Sequence, residues 1–138
     1  MMTDYLSTTL WTEEEVKFRE EVRAFCEKEI VPIADEIDKG PYPRKLLKKI
    51  GKAGYMGVHH DKDVGGSARG LSYEIIVAEE ISAANGGLDM ARMSSTTLYG
   101  MPIARFGTPE QKKKYLEPVV SGNLVGCIGI TEPDVGSD

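Results

Sequence analysis

The sequence predicts a mostly α-helical fold: a bundle of amphipathic helices, then one strand and a loop at the end of the chain. Apolar residues recur at helical spacing through most of the 138 residues. Capping boxes mark helix starts at Thr12 and Thr108. Only from Leu124 does the pattern become strand-like. At this length one hydrophobic core is expected, with no need of a disulfide or metal to hold it.

The first helix opens at Thr12-Glu13-Glu14-Glu15, where the Thr12 hydroxyl and the Glu15 carboxylate can satisfy each other's backbone N–H groups. Val16, Phe18, Val22, Phe25, Cys26, Ile30, Ile33 and Ile37 then gather into one apolar stripe. Pro32 lacks a backbone donor, which predicts a kink or division near Glu29, and Asp38-Lys39-Gly40-Pro41 ends the run. Pro43 suits the first position of a second helix, in which Leu46, Leu47, Ile50 and Ala53 are the apolar side and Gly54 the closing glycine.

A long link follows over residues 55–70. It holds His59-His60-Asp61-Lys62-Asp63, but neighbours in an extended segment point opposite ways and no third nitrogen or sulfur ligand is near, so a metal site is not expected. Ser72 is a candidate cap for a third helix with Ile75, Ile76, Ala78, Ile81, Ala83 and Ala84 on its apolar side. Asn85-Gly86-Gly87 is expected to stop it in the left-handed conformation.

Residues 88–99 are rich in small and soft side chains and poor in charge. Two readings stand side by side: a plain core helix whose hydroxyls bond their own backbone, and the wall of a pocket for an apolar ligand. Arg92 is expected at a solvated helix edge. Pro102 is expected to interrupt the run and Gly107 to close it. Thr108-Pro109-Glu110-Gln111 then starts a short helix with Tyr115 and Leu116 on its buried side, which Pro118 should terminate within a turn or so. Ser121-Gly122-Asn123 reads as a turn into the strand-like run.

Hydrophobic residues at 41% and charged residues at 28% exclude disorder and a disulfide-dense scaffold. A net charge of -5, with Lys112-Lys113-Lys114 the sole basic run, argues against a nucleic-acid partner. Cys26 and Cys127 form no Cys-x-x-Cys pair and read as reduced thiols, which suits the cytoplasm. Residues 1–5 lack the features of a targeting segment, and no apolar run is long enough to span a membrane.

The dinucleotide and phosphate-loop glycine motifs, the Gly-x-Ser-x-Gly elbow and zinc-ligand spacings are missing from the sequence. The terminal loop remains as a candidate. Its Thr131 and Ser137 hydroxyls and the N–H groups around Gly136 suit a polar ring edge or a phosphate, although a generic turn has the same composition.

The run Ile128-Gly129-Ile130-Thr131-Glu132-Pro133-Asp134-Val135-Gly136-Ser137-Asp138 resembles the flavin-binding signature of the acyl-CoA dehydrogenase family. Landmarks upstream agree in order: the looped segment ending at Gly65-Gly66, Glu79-Glu80-Ile81-Ser82, and Gly107-Thr108-Pro109-Glu110-Gln111-Lys112-Lys113-Lys114-Tyr115-Leu116. The resemblance implies an N-terminal all-helical domain at residues 1–121 and the beginning of a central β-domain at residues 122–138. It implies FAD as cofactor, bordered by Ile128, Gly129, Ile130, Thr131, Gly136 and Ser137. An acyl-CoA thioester would lie against Ser137, Ala91, Ser94, Ser95 and Leu98 and be oxidised to the 2,3-enoyl-CoA. In that chemistry a carboxylate takes the α-proton and the β-hydrogen leaves as hydride, with Thr131 among the donors that stabilise charge gained by the flavin.

The same resemblance implies an electron-transfer flavoprotein as acceptor, with an oxidase variant left open, and a homotetramer in the full-length form. The family's catalytic glutamate belongs to the C-terminal domain, so no catalytic residue is assigned within these residues, and the 138 residues alone are expected neither to retain FAD nor to reduce it with acyl-CoA. The alternative is a helical binding or assembly module without catalysis. Many relatives carry Pro near His60 and Gly in place of Asp134, so the first of these loops is expected to differ in shape. The wording around Cys127 leans toward dicarboxylic or cyclic acyl-CoA, with Arg92 as a carboxylate partner.

Overall fold

In a computed structural model the described residues are 10–41 and 44–136. Helix α1 (Glu13–Glu29) begins with the expected capping box: Thr12 Oγ1 accepts from Glu15 N at 3.3 Å and Thr12 N donates to Glu15 Oε2 at 2.8 Å. Pro32 divides the run as expected. It sits in a 3-10 turn, Val31–Ile33, between α1 and α2 (Ala34–Lys39). Helix α3 (Arg44–Lys52) buries Leu46, Leu47 and Ile50 and is followed by Gly54 at φ +84°, a conformation that glycine adopts at no steric cost. Pro43, read as its first residue, lies outside the described residues.

Helix α4 (Leu71–Ala84) packs along α1, and this contact builds the core. Phe18, Val22, Cys26 and Ile30 meet Leu46, Leu47, Ile50, Met56, Ile76, Val77, Ile81 and Leu88. Two details of α4 depart from expectation. Its cap is Gly70 rather than Ser72, and Ile75 is exposed whereas Glu74 and Glu80 turn inward. Charge pairing explains the rotation of this face: Glu80 accepts from Arg19 at 3.0 Å and from Arg23 at 2.8 and 2.9 Å. A carboxylate so partnered can be buried where an unpaired one cannot.

Asn85 does separate two helices, but not through a left-handed backbone. Its φ of -163° is extended, and its side chain caps α5 (Gly86–Met93) by accepting from Leu88 N at 2.8 Å. The glycines after it begin a helix instead of ending one.

From α5 the helix continues through a π-helical turn, Ser94–Tyr99, into α6 (Gly100–Phe106). After the Thr108 capping box, α7 (Pro109–Gln111) likewise runs through a π turn, Lys112–Leu116, into α8 (Glu117–Val120). Pro102 was expected to interrupt the first run and does not, although Gly107 closes it as expected; the second run ends at Val120, within a turn of Pro118, as expected. A proline clashes with the carbonyl four residues back and cannot bond to it. Pro102 and Pro118 each lie two or three residues past a π turn, where the regular ladder is already interrupted. Leu116 is buried as expected beside Val64 and Val120, whereas Tyr115 is 40% exposed.

Gly122, at φ +72°, makes the expected turn. Residues 124–130 form no strand among the described residues, since no neighbouring chain segment offers a ladder to complete. No helix among the described residues is long and apolar enough to cross a membrane.

Candidate functional site

The terminal segment is clipped to the π turn of the long helix. The Gly126 N–H donates to Ser95 Oγ at 3.2 Å, and that hydroxyl lies 3.1 Å from Gly126 O and 2.9 Å from Ala91 O, to one of which it donates. Gly126 is buried flat against Tyr99, and a Cβ there would overlap the ring. From this root the chain leaves the surface. Ile128, Gly129, Ile130 and Thr131 are exposed, with Ile128 at 47% and Ile130 at 72%.

Among the described residues nothing accepts a hydrogen bond from the backbone N–H groups of residues 127–131. Glu132 and Val135 then close a tight turn by reciprocal backbone bonds of 3.1 and 3.4 Å. Gly136 is exposed, and a Cβ at either Gly129 or Gly136 would meet nothing. Ser137 lies outside the described residues. Free N–H groups alternating with bare apolar side chains make a surface that suits a planar ring with polar edges.

Ala91, Ser94, Ser95 and Leu98 recur three to four residues apart along the helix to which this segment is clipped. Ala91 and Ser94 are half-buried, Leu98 is 41% exposed, and Ser95 is buried with its hydroxyl engaged as described.

Behind the π turn lies a buried polar cluster that the sequence reading missed. Arg92, expected at a solvated edge, is fully buried: Nε donates to Asp89 Oδ1 at 2.6 Å, Nη1 to Glu74 Oε1 at 2.7 Å. Asp89 also accepts from Ser82 Oγ at 3.0 Å. Fully buried and paired through Nε and Nη1 to two carboxylates, Arg92 does not reach the surface where a substrate carboxylate was expected to meet it. Burial works against the Glu74 carboxylate, but the His59 hydrogen bond and the Arg92 charge outweigh it and hold its pKa below the usual range. The signal available in the sequence was a single Arg in an apolar stretch and a Glu on an apolar helix, each of which demands a partner once buried.

The two histidines also differ from expectation. The link is not extended; it folds back on itself, and the rings lie on the same side with centroids 4.2 Å apart. His59 Nδ1 donates to Glu74 Oε2 at 3.0 Å and His60 Nε2 to the Thr96 carbonyl at 2.8 Å. Burial, then the neighbouring His59, lowers the His60 pKa. Arg92 Nη2, His59 Nε2 and His60 Nδ1 are buried without a partner among the described residues.

The chain matches the family model described as "Acyl-CoA dehydrogenase, N-terminal domain" over residues 12–123. It is 38% identical over 129 residues to a 3-(aryl)acrylate reductase of Clostridium sporogenes, covering 93% of this chain and 34% of the relative. It is 39% identical over 128 residues to a short-chain specific acyl-CoA dehydrogenase of Clostridium acetobutylicum, covering 92% of this chain and 34% of the relative. The crystal structure of an acyl-CoA dehydrogenase complexed with FAD from Bacillus anthracis superimposes with a TM-score of 0.86 at 26% identity, over 95% of this chain and 22% of that one. The chain thus spans about a third of the length of the curated relatives it matches.

Proposed function

The chain belongs to the acyl-CoA dehydrogenase family, and from that premise we propose that it supplies the helical wall and the first flavin-binding segment of an FAD-dependent acyl-CoA dehydrogenase. The observation that carries this reading is the Ser95–Gly126 clip. It brings the free N–H groups of residues 127–131 to the helix that bears Ala91, Ser94 and Leu98.

The donor set fits a flavin. Ile128 and Ile130 offer apolar cover, the bare backbone of Gly129 allows close approach, and Thr131 contributes a hydroxyl beside N–H groups with no other partner among the described residues. FAD, when bound, accepts the hydride equivalent that leaves an acyl thioester. The residues of this chain would bind its ring edge, stabilise by hydrogen bonding the negative charge gained there, and hold the acyl group against the small-residue helix face. Ser137 and Gly136 complete the proposed cofactor contacts, with Ser137 also facing the CoA portion. The proposed acceptor is an electron-transfer flavoprotein, and the proposed assembly is a homotetramer in the cytoplasm. The proposed boundary of the helical domain lies at residue 121.

The test is made on the protein isolated from its own cells, at whatever length it is expressed there. Acyl-CoA thioesters of graded chain length are added anaerobically while the flavin absorption is followed. Bleaching by one of them is the expected result; a protein that carries no flavin, or whose flavin ignores every thioester, fits the helical binding module instead.

A further inference from the structure

We propose that His60 is a positioning residue for the flavin-binding segment: by donating to the Thr96 carbonyl it holds open the π-helical turn whose Ser95 hydroxyl carries Gly126. The flavin part of this statement rests on the function proposed above, whereas the coupling between His60 and Gly126 is independent of it.

The imidazole is 2% exposed and its Nε2 lies 2.8 Å from Thr96 O, an atom that only accepts, so Nε2 carries the proton. Thr96 belongs to the Ser94–Tyr99 π turn, where the helical ladder is interrupted and an outside donor can take a carbonyl. The hydroxyls of that turn reach back in the same way, with Thr96 Oγ1 donating to Arg92 O at 3.0 Å and Ser95 Oγ 2.9 Å from Ala91 O.

Room for the ring depends on Gly100, whose added Cβ would stand 3.1 Å from His60 Nε2 and 3.3 Å from Ser95 O. The main chain of His60 is equally constrained. Its N–H donates to Gly57 O at 3.2 Å, its carbonyl accepts from Ala68 N at 2.8 Å, and a Cβ on Gly66 would overlap that carbonyl. The ring therefore has a fixed mount on one side and the π turn on the other.

Removing the donor would leave a buried carbonyl unpaired, a state the helix can relieve by winding the π turn down to an α turn. Absorbing one residue in that way rotates the two halves of the helix by about 100° relative to each other. Ser95 and Tyr99, four residues apart, would still share a face, but that face would turn relative to one packed half of the helix and away from Gly126, and the segment that follows would lose its root.

The experiment compares His60→Leu, which cannot donate, with His60→Gln, whose amide can reach the same carbonyl. Both are made in the full chain, and amide hydrogen exchange is read by NMR. In the Leu variant the Gly126 amide should exchange about tenfold faster, the loss expected for one hydrogen bond, while Val22 and Ile76 keep their protection. In the Gln variant Gly126 should exchange as in the parent. A folded Leu variant with unchanged Gly126 exchange overturns the proposal, and so does a Gln variant in which Gly126 exchanges as fast as in Ser95→Ala. If the Leu variant does not fold, the Gln variant and the imidazole nitrogen shifts of the unmutated protein decide, an Nδ1–H tautomer at His60 being the contrary result. None of these readouts contains flavin, so failure of the flavin reading alone would leave them unchanged.

Discussion

Arg92 Nη1 donates to Glu74 Oε1 across 2.7 Å, joining α5 to α4 through an ion pair with no solvent contact on the arginine side. Such a pair is costly to break from one end, because the charge left behind is buried and uncompensated. Arg92→Ala strands Glu74 and Asp89 together and should cost about 3–5 kcal/mol in unfolding free energy by denaturant titration. Glu74→Gln keeps an acceptor for Arg92 and should cost distinctly less. Equal losses for the two variants would mean that the pairing contributes nothing beyond packing.

Acid should destabilise the chain in two stages. His60, lowered by burial and by His59, binds its proton less readily folded than unfolded, so its contribution is complete above the ordinary value of 6.5 and is lost as pH falls from there toward its folded value. Glu74 is also lowered, against burial, by His59 and Arg92. Its contribution is present above the ordinary carboxylate value of 4.5 and is lost as pH falls through the folded value. The charged or titratable groups around His60 are His59, Asp61 and Glu74, with Arg92 behind Glu74. Melting temperature measured from about pH 8 to about pH 2 should fall in both windows, and His60→Gln should abolish only the first.

The two thiols should behave oppositely. Cys26 is 3% exposed and burial pushes its pKa up to about 12, so it offers neither access nor thiolate. Cys127 is exposed. Alkylation of the native chain followed by mass spectrometry should therefore modify Cys127 alone, and Cys26 only after denaturation.

Gly126 admits no side chain because of Tyr99. Gly126→Ala should free residues 127–131 to limited proteolysis while lowering global stability by no more than about 1 kcal/mol, since the segment lies outside the core. Tyr99→Ala in the same chain should restore resistance by making room for the methyl group. Unaltered proteolysis of Gly126→Ala would place the anchor elsewhere.

What could be read from the sequence was local. The capping boxes at Thr12 and Thr108 and the divide at Pro32 depend on residues within a turn of one another, and all three are found as expected. Pro102 misled because π winding leaves no residue-type mark that separates it from α. Arg92 looked solvated because its partner Glu74 lies 18 residues away on another helix, and His59 and His60 looked divergent because the link was taken as extended. The same division holds at the candidate site. Residues 128–131 were legible as one continuous motif, whereas the Ser95–Gly126 clip joins positions 31 apart and emerges only in the folded chain.

The central claim is that residues 128–131 meet the flavin, and an NMR titration of FAD into the isotope-labelled chain tests it most directly. Weak binding suffices, because shifts are read residue by residue. The account predicts perturbation of the Ile128, Gly129, Ile130 and Thr131 amides with attenuation in Thr131→Ala. Shifts confined to another surface, such as the cleft of about 490 Å³ between Asp63, Pro109 and Lys113, would contradict it.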